Sequence, residues 1–363
     1  MDFYLTLFGM TTIVSFMEFF NIKLKTKKYI FIGISIIYIF ISGLRWNNPD
    51  WIVYYPFFME NNTLDDFWYG NIPVDKGFGL INFVVKSFTD EYTILLFVLA
   101  ILIISIKVNF IIKFATFPLI SLLYWFGTYI GDIFFIRQTL AICITLIAFR
   151  FILKKNFILF VLFTLLASTM QISVISFLLA YFIFYRKIKI RYLVLGLIFS
   201  ILIGRMVDTS ILLTLNTFFN ILPDSERLLE KASLYYEVGS MSDGPIVILT
   251  YLRRLIFIPI ELWAISRIEK FDKNYRGYLN LIIFGYMLYF LFENMSPVIA
   301  SRISSVYYIY EIITIPTIFV VIKSLKIRIG VFCVLSIYLL IKYLYAINMY
   351  YDIYIPYINI LFN

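Results

Sequence analysis

Six arginines stand where a membrane chain has least use for them. Arg45 closes one apolar run, Arg137 and Arg302 open two others, and Arg205 ends a fourth. Arg253 and Arg254 fall about eight or nine residues inside a fifth run, ~12–14 Å along a helix axis. A guanidinium stays charged when desolvated and grips phosphate or carboxylate through two parallel N–H bonds. The stretch GDIFFIRQTLAICITLIAFRFILKK poses the question most sharply. It is long enough to span and basic at its far end, yet Arg137 and Gln138 sit about one turn inside its front. A shared anionic ligand at one membrane face explains the set jointly. Two structural readings stand beside it. Arginines near helix ends snorkel to headgroups, and these could pair with Asp50, Asp132, Glu293 or Glu311. Arg137 and Asp132 share a helical face poorly at their spacing.

The polar and aromatic partners are concentrated too. RWNNPDWIVYY sets Arg45, Trp46, Asp50, Trp51 and Tyr54 together. Asp50, flanked by aromatics, is the first candidate for an acid or base at a hydroxyl; Glu237 and Asp132 follow. Gln171, in the polar break STMQIS, is a neutral donor for a sugar hydroxyl or phosphate oxygen. Other chemistry is excluded. The chain has no histidine, so Ser-His-Asp triads and HExxH zinc sites are out. Cys143 and Cys333 lie in apolar segments without CxxC spacing and read as packing residues rather than metal ligands. No Gly-rich phosphate loop is present.

The elements that position these residues are membrane helices. The chain is 62% hydrophobic and 15% charged, with mean hydropathy +0.91. A water-soluble core cannot absorb that. Twelve candidate spans follow: 3–22, 29–43, 93–112, 115–130, 133–153, 156–170, 172–186, 191–207, 245–266, 277–293, 302–322 and 328–346. The pair 156–170 and 172–186 also reads as a broken or re-entrant element. MDFYLTLFG lacks a basic leader and is expected to be a retained first helix. Twenty of the 31 lysines and arginines fall in clusters after every odd span. KLKTKK, Lys107 with Lys113, Arg150 with Lys154 and Lys155, RKIKIR, RIEKFDKNYR and KSLKIR make up those clusters. The positive-inside rule then puts both termini outside. The net charge of +9 is this bias plus attraction to anionic lipid, so no nucleic-acid partner is expected. Two longer extracytoplasmic loops, 44–92 and 208–244, decorate a single transmembrane domain over 1–363. Short amphipathic helices are expected within the first.

An anionic, membrane-borne, outward-facing ligand with polar and aromatic surroundings fits a polyprenyl-diphosphate-linked glycan. The motifs agree. GLRWNNPDWIVYY, with Arg45, Asp50 and Tyr54, resembles one element of the EpsG family of Wzy-type bacterial polysaccharide polymerases. DKGFGLIN resembles the family's Glu-x-Gly-aromatic element, although Lys76 stands in the acid's place. IRQTLA resembles its Arg-Gln-x-x-Ala helix start, and SRISSVYY, with Arg302 and Tyr307, its late Arg-Ile-x-x-Tyr segment. Where the family often has Phe-His-x-Ser, this chain has MQIS, so Gln171 replaces the histidine.

The resemblance implies an all-α polytopic membrane protein of about twelve transmembrane helices with GT-C-like architecture. It implies a multi-pass protein of the bacterial inner (cytoplasmic) membrane with its active site facing the periplasm or exterior. The activity implied is metal-independent glycosyl transfer without a cofactor. The donor and acceptor would be undecaprenyl-diphosphate-linked oligosaccharides, as in O-antigen, lipopolysaccharide, capsule or exopolysaccharide synthesis. A chain-length regulator membrane protein is a further implied partner. On this reading Arg137, Arg302 and Arg253 bind the diphosphate and Arg45 lies at the rim. Trp46, Tyr54, Gln138, Gln171, Arg205, Arg254, Glu237 and Tyr307 complete the substrate site, and Asp50 is the acid or base. A flippase for the same lipid-linked units is the alternative.

Overall fold

Apolar runs become helices in this chain because backbone groups facing hydrocarbon must be satisfied within the segment. A computed structural model describes residues 1–46, 51–69, 74–206, 251 and 253–361. Among the described residues the regular structure is helical, apart from one isolated bridge between Arg45 and Asn359. The chain divides into two compact units, one of Met1–Ile172 with Ile315–Asn363 and one of Ser173–Thr314.

The first unit begins with α1 (Asp2–Phe16) and α2 (Leu24–Leu44). Three short helices follow in the expected first outer loop: α3 (Trp51–Glu60), α4 (Leu64–Tyr69) and α5 (Lys76–Lys86). Each buries one side, but the exposed side also carries apolar residues, so the expected amphipathic pattern is incomplete. Tyr54, Phe57, Phe67, Phe78 and Val85 point inward while Ile52, Leu80 and Val84 are exposed. Then come α6 (Tyr92–Phe114), α7 (Pro118–Thr128), α8 (Ile136–Leu153) and α9 (Phe157–Ser168). Pro118 opens α7, where a missing N–H leaves no bond unmade, and the Asn156 side chain caps α9. Helix α2 lies along α6, and α8 packs between α6 and α9. Helix α7 is buried from Pro118 to Gly127.

The second unit holds α10 (Ala180–Phe184), α11 (Ile190–Met206), α12 (Ile258–Ile268), α13 (Tyr275–Phe292) and α14 (Pro297–Tyr308). Helix α15 (Glu311–Thr317) leads back to the first unit, which ends with α16 (Leu325–Met349) and α17 (Tyr351–Tyr354). Helix α13 is central to the second unit and contacts α10, α11, α12 and α14. Val334, Ile337 and Ile341 of α16 are exposed, as a lipid-facing stripe would be.

Eleven of the twelve expected runs carry helix along their length, and the ninth is described only in its second half. Their lengths differ from expectation. Among the described residues four helices, α2, α6, α8 and α16, are long and apolar enough to cross a membrane, and a fifth counts if α14 and Glu311–Val320 form one span bent by 53°. Helix α7 has 11 residues, ~16 Å against a ~30 Å hydrocarbon core. The run 156–170 yields a 12-residue helix, and 172–186 becomes a 3-10 segment joined to α10. The run 245–266 is interrupted at Ile256–Phe257. Pro259 lies in the first turn of α12, and a proline removes the N–H and crowds the preceding turn, so one helix does not continue through it.

Candidate functional site

Arg137 is the second residue of α8, and its partner comes from the segment between α2 and α6. Asp75 stands at the N-cap of α5, yet its carboxylate makes no capping bond. It reaches Arg137 instead, Oδ2 to Nη1 at 3.3 Å, with both side chains mostly buried. The positive end of α5 further favours a carboxylate there. The Tyr54 ring of α3 lies under the guanidinium at 5.7 Å and packs on Phe78 of α5 at 5.1 Å. Three helices thus fix one arginine by its edge and its face. Helix α5 is itself pinned to the polar break after α9, where Gly77 N–H donates to the Thr169 carbonyl at 2.9 Å. A Cβ at Gly77 would overlap Thr169 Oγ1 and come within 2.9 Å of Met170 Cε. Gln171, buried, follows directly in that break.

Arg45 does not lie at a rim. It is 1% exposed. Its Nη1 donates to Ser42 Oγ at 3.2 Å, and Ser42 donates to the Ile133 carbonyl at 3.1 Å. The guanidinium lies over Phe134, 5.4 Å away, just before α8 begins. Its Nε and Nη2 have no partner among the described residues. The burial comes from the C-terminal segment: Trp46 N–H donates to the Ile358 carbonyl and Ile360 N–H to the Leu44 carbonyl. Beside it Trp46, Trp51 and Tyr55 form an aromatic cluster, with Trp51 and Tyr55 stacked at 5.0 Å. Such ring faces suit stacking on sugars.

A buried network holds the turn from which α8 starts. Asp132 accepts from Lys107 and, through the same oxygen, from Trp125 Nε1 at 2.7 Å; its other oxygen accepts from Thr139 at 3.3 Å. Lys107 is 1% exposed, so it is not a cytoplasmic anchor as the charge pattern suggested. Helix α6 runs on to Phe114, leaving Lys107 ~10 Å short of that end. Asp132 is spent on this network, so neither pairing with Arg137 nor service as a free base fits it. Asp50 and Glu237 lie outside the described residues.

The second unit carries Arg205, Arg253, Arg254 and Arg302. Arg205, near the end of α11, lies over Tyr251 at 5.7 Å, and Arg254 stacks on Tyr289 at 3.6 Å. Tyr289 donates to Glu293 at 3.2 Å, and Glu293 also acts on Tyr251. Two expected arginines are therefore joined through one carboxylate and two phenols. Arg253 and Arg302 are half-buried. Arg302 sits in the middle of α14, not at a helix start, because α14 begins at Pro297 behind the Ser296 cap. Tyr307 is fully buried and donates to the Ser176 carbonyl, which makes it a packing residue between segments of this unit.

The EpsG family's sequence profile matches residues 5–359. The chain belongs to the EpsG family. The family is one of Wzy-like polysaccharide polymerases. No curated protein and no solved structure matches the chain. The motifs of this EpsG chain can now be placed. Counted residue by residue, Glu-x-Gly-aromatic falls on Asp75-Lys76-Gly77-Phe78, so the acid's place is that of Asp75 and not of Lys76, and Asp75 meets the arginine of IRQTLA. Sequence reasoning missed Asp75, although DKGFG was in view: an acid beside a Gly-aromatic pair was the signal. It also missed the C-terminal cover of Arg45, for which tyrosines in YYDIYIPYI gave no distinguishing mark.

Proposed function

We propose that this EpsG-family chain polymerises lipid-linked oligosaccharide repeat units at the outer face of the cytoplasmic membrane. The observation that carries the reading is the Arg137–Asp75–Tyr54 constellation at the start of α8. In the reaction, an acceptor hydroxyl oxygen bonds to the donor's anomeric carbon, and the bond from that carbon to the polyprenyl diphosphate breaks. Negative charge grows on the leaving diphosphate. Arg137, already oriented by Asp75 and Tyr54, supplies fixed donors for that charge without reorganising. The hydroxyl proton goes to a carboxylate, for which Asp75 and Asp50 are the candidates. The aromatic cluster of Trp46, Trp51 and Tyr55 offers faces for the sugar. Arg253 and Arg302 are proposed as diphosphate ligands of the second unit in their own right.

The test is reconstitution. Purified chain incubated with undecaprenyl-diphosphate-linked repeat units, without nucleotide sugar, is expected to lengthen them. Arg137→Ala should lower the rate by about 10²–10³-fold with membrane expression intact. Units that change leaflet but never lengthen would refute polymerisation and support the transporter instead.

A further inference from the structure

The second unit contains a pair of acids that the glycan chemistry does not use. Glu261 of α12 is 0% exposed, and Glu311, first residue of α15, is 4% exposed. Each lies within electrostatic reach of the other. Their surroundings differ. Glu311 accepts a hydrogen bond from the Tyr286 hydroxyl of α13. Neither carboxylate oxygen of Glu261 has a hydrogen-bond partner among the described residues.

Other polar atoms converge on Glu261 without satisfying it. The Thr314 hydroxyl of α15 is close enough to act on it but lacks hydrogen-bond geometry, and it has no partner of its own. The Tyr275 hydroxyl, at the start of α13, also lies in its field and is also unpartnered. Thr314 and Tyr275 are each 1% exposed. Asp272, in the turn before α13, adds negative charge near Tyr275.

Among the described residues no basic side chain acts on Glu261. The arginines that follow in the chain have partners of their own: Arg267 lies over Trp263 at 4.3 Å, and Arg276 holds Glu269 through two bonds. A carboxylate removed from water without a partner is disfavoured by several kcal/mol, and two in mutual reach are worse. Glu311 has the Tyr286 hydroxyl, which leaves Glu261 as the carboxyl that needs a positive partner. Glu311 also stands at the break of 53° between α14 and the helix that follows. Broken membrane helices free backbone carbonyls, and such breaks line cation sites.

We propose that Glu261 and Glu311, with the hydroxyls of Thr314, Tyr275 and Tyr286, form a buried site for one monovalent cation, a proton or a sodium ion. Two carboxyls and neutral hydroxyls provide hard oxygen ligands, and the cation balances the charge of Glu261. Access follows from position. Glu261 is seven residues short of the end of α12, ~10 Å from the turn that carries the RIEKFDKNYR charges.

The experiment uses the full chain in detergent or nanodiscs, and neither readout involves glycan, so its outcome is independent of the polymerase reading. Dicyclohexylcarbodiimide adds to protonated carboxyls in apolar surroundings. Mass spectrometry of the labelled chain is expected to find the adduct on Glu261 or Glu311. In parallel, thermal unfolding is followed while sodium chloride replaces choline chloride at constant ionic strength. If sodium is the occupant, Tm rises saturably by about 2–4 °C and sodium suppresses labelling. If a proton is the occupant, labelling falls as pH rises and sodium changes nothing. Glu261→Gln is expected to abolish the sodium shift or the Glu261 adduct. Should that variant fail to fold, the wild-type labelling and sodium titration decide alone. No adduct on either residue at any pH, together with no sodium-specific shift, overturns the proposal.

Discussion

At the scale of single residues, the decisive contact is between Arg137 and Asp75. An isolated arginine near a helix start would be a snorkelling residue. One held by a carboxylate on its edge and a phenol on its face is pre-organised. Asp75→Asn keeps the shape and removes the charge, and it is expected to reduce chain elongation by about 10–100-fold with the protein still folded. Wild-type glycan length in that variant would remove Asp75 from the site. Lysine at 137 retains charge but loses the planar fork, so Arg137→Lys should fall between wild type and Arg137→Ala. The buried Lys107–Asp132 pair makes a different kind of prediction. Removing one partner leaves a stranded charge, at about 3–5 kcal/mol. Lys107→Met should therefore lower Tm more than the double variant Lys107→Met, Asp132→Asn. A double variant whose loss equals the sum of the two single losses would mean that the pair is not coupled. Arg137 was legible in the sequence because outer-side arginines contradict positive-inside bias. Asp75 was legible as the acid of DKGFG, but its pairing with Arg137 was not, since the two are distant in sequence until the fold brings them together.

At the scale of elements, close approach decides the packing. A Cβ at Gly204 of α11 would overlap the Phe290 carbonyl of α13, and one at Gly285 of α13 would lie 2.6 Å from the Tyr307 Cβ of α14. Small residues allow such contacts where lipid gives helices no hydrophobic reason to associate. Gly204→Leu is expected to reduce the yield of folded, monodisperse protein, whereas leucine at Gly330, which has open space around it, should not. Equal yields would show that α11 and α13 do not need this contact. The helical runs themselves were readable from hydropathy. Some interruptions were readable too, as at the polar break STMQIS between 156–170 and 172–186, but the shortness of α7, Pro118–Thr128, was not. The clasp of Glu269 by Arg276 at the α12–α13 turn, 2.6 and 2.9 Å, is an element-scale staple. Arg276's hydrogen bonds hold the Glu269 carboxyl below its ordinary range. A depressed carboxyl contributes stability above its unfolded value, near pH ~4.3, and loses it as pH falls through the folded value. Glu269→Gln should therefore lower the stability slightly at neutral pH, by less than about 1 kcal/mol, with the difference vanishing in acid.

At the scale of the whole molecule, what remains is orientation, because the proposed chemistry needs the Asp75–Arg137 constellation on the outer side. The charge pattern argues for that side even after Lys107 leaves the count. The turn with Lys154 and Lys155 between α8 and α9, and the RKIKIR and KSLKIR turns, still carry basic clusters. The loop containing α3, α4 and α5 carries Glu60, Asp65, Asp66, Asp75 and Asp90. Helix α8 is long and apolar enough to cross, so its two ends must face opposite sides. Two positions report this cleanly. Asn62, between α3 and α4, is exposed, and Asn156 follows the basic turn after α8. In a chain lacking both native cysteines, Asn62→Cys is expected to react with a membrane-impermeant maleimide in intact cells. Asn156→Cys should react only after permeabilisation; because Asn156 caps α9, Lys155→Cys provides a second reporter of the same turn. The reverse pattern would put the arginine constellation in the cytoplasm, where lipid-linked units have not yet crossed, and would exclude polymerisation at the outer face whatever the family. The expected pattern would leave the Arg137 variants as the test of chemistry alone.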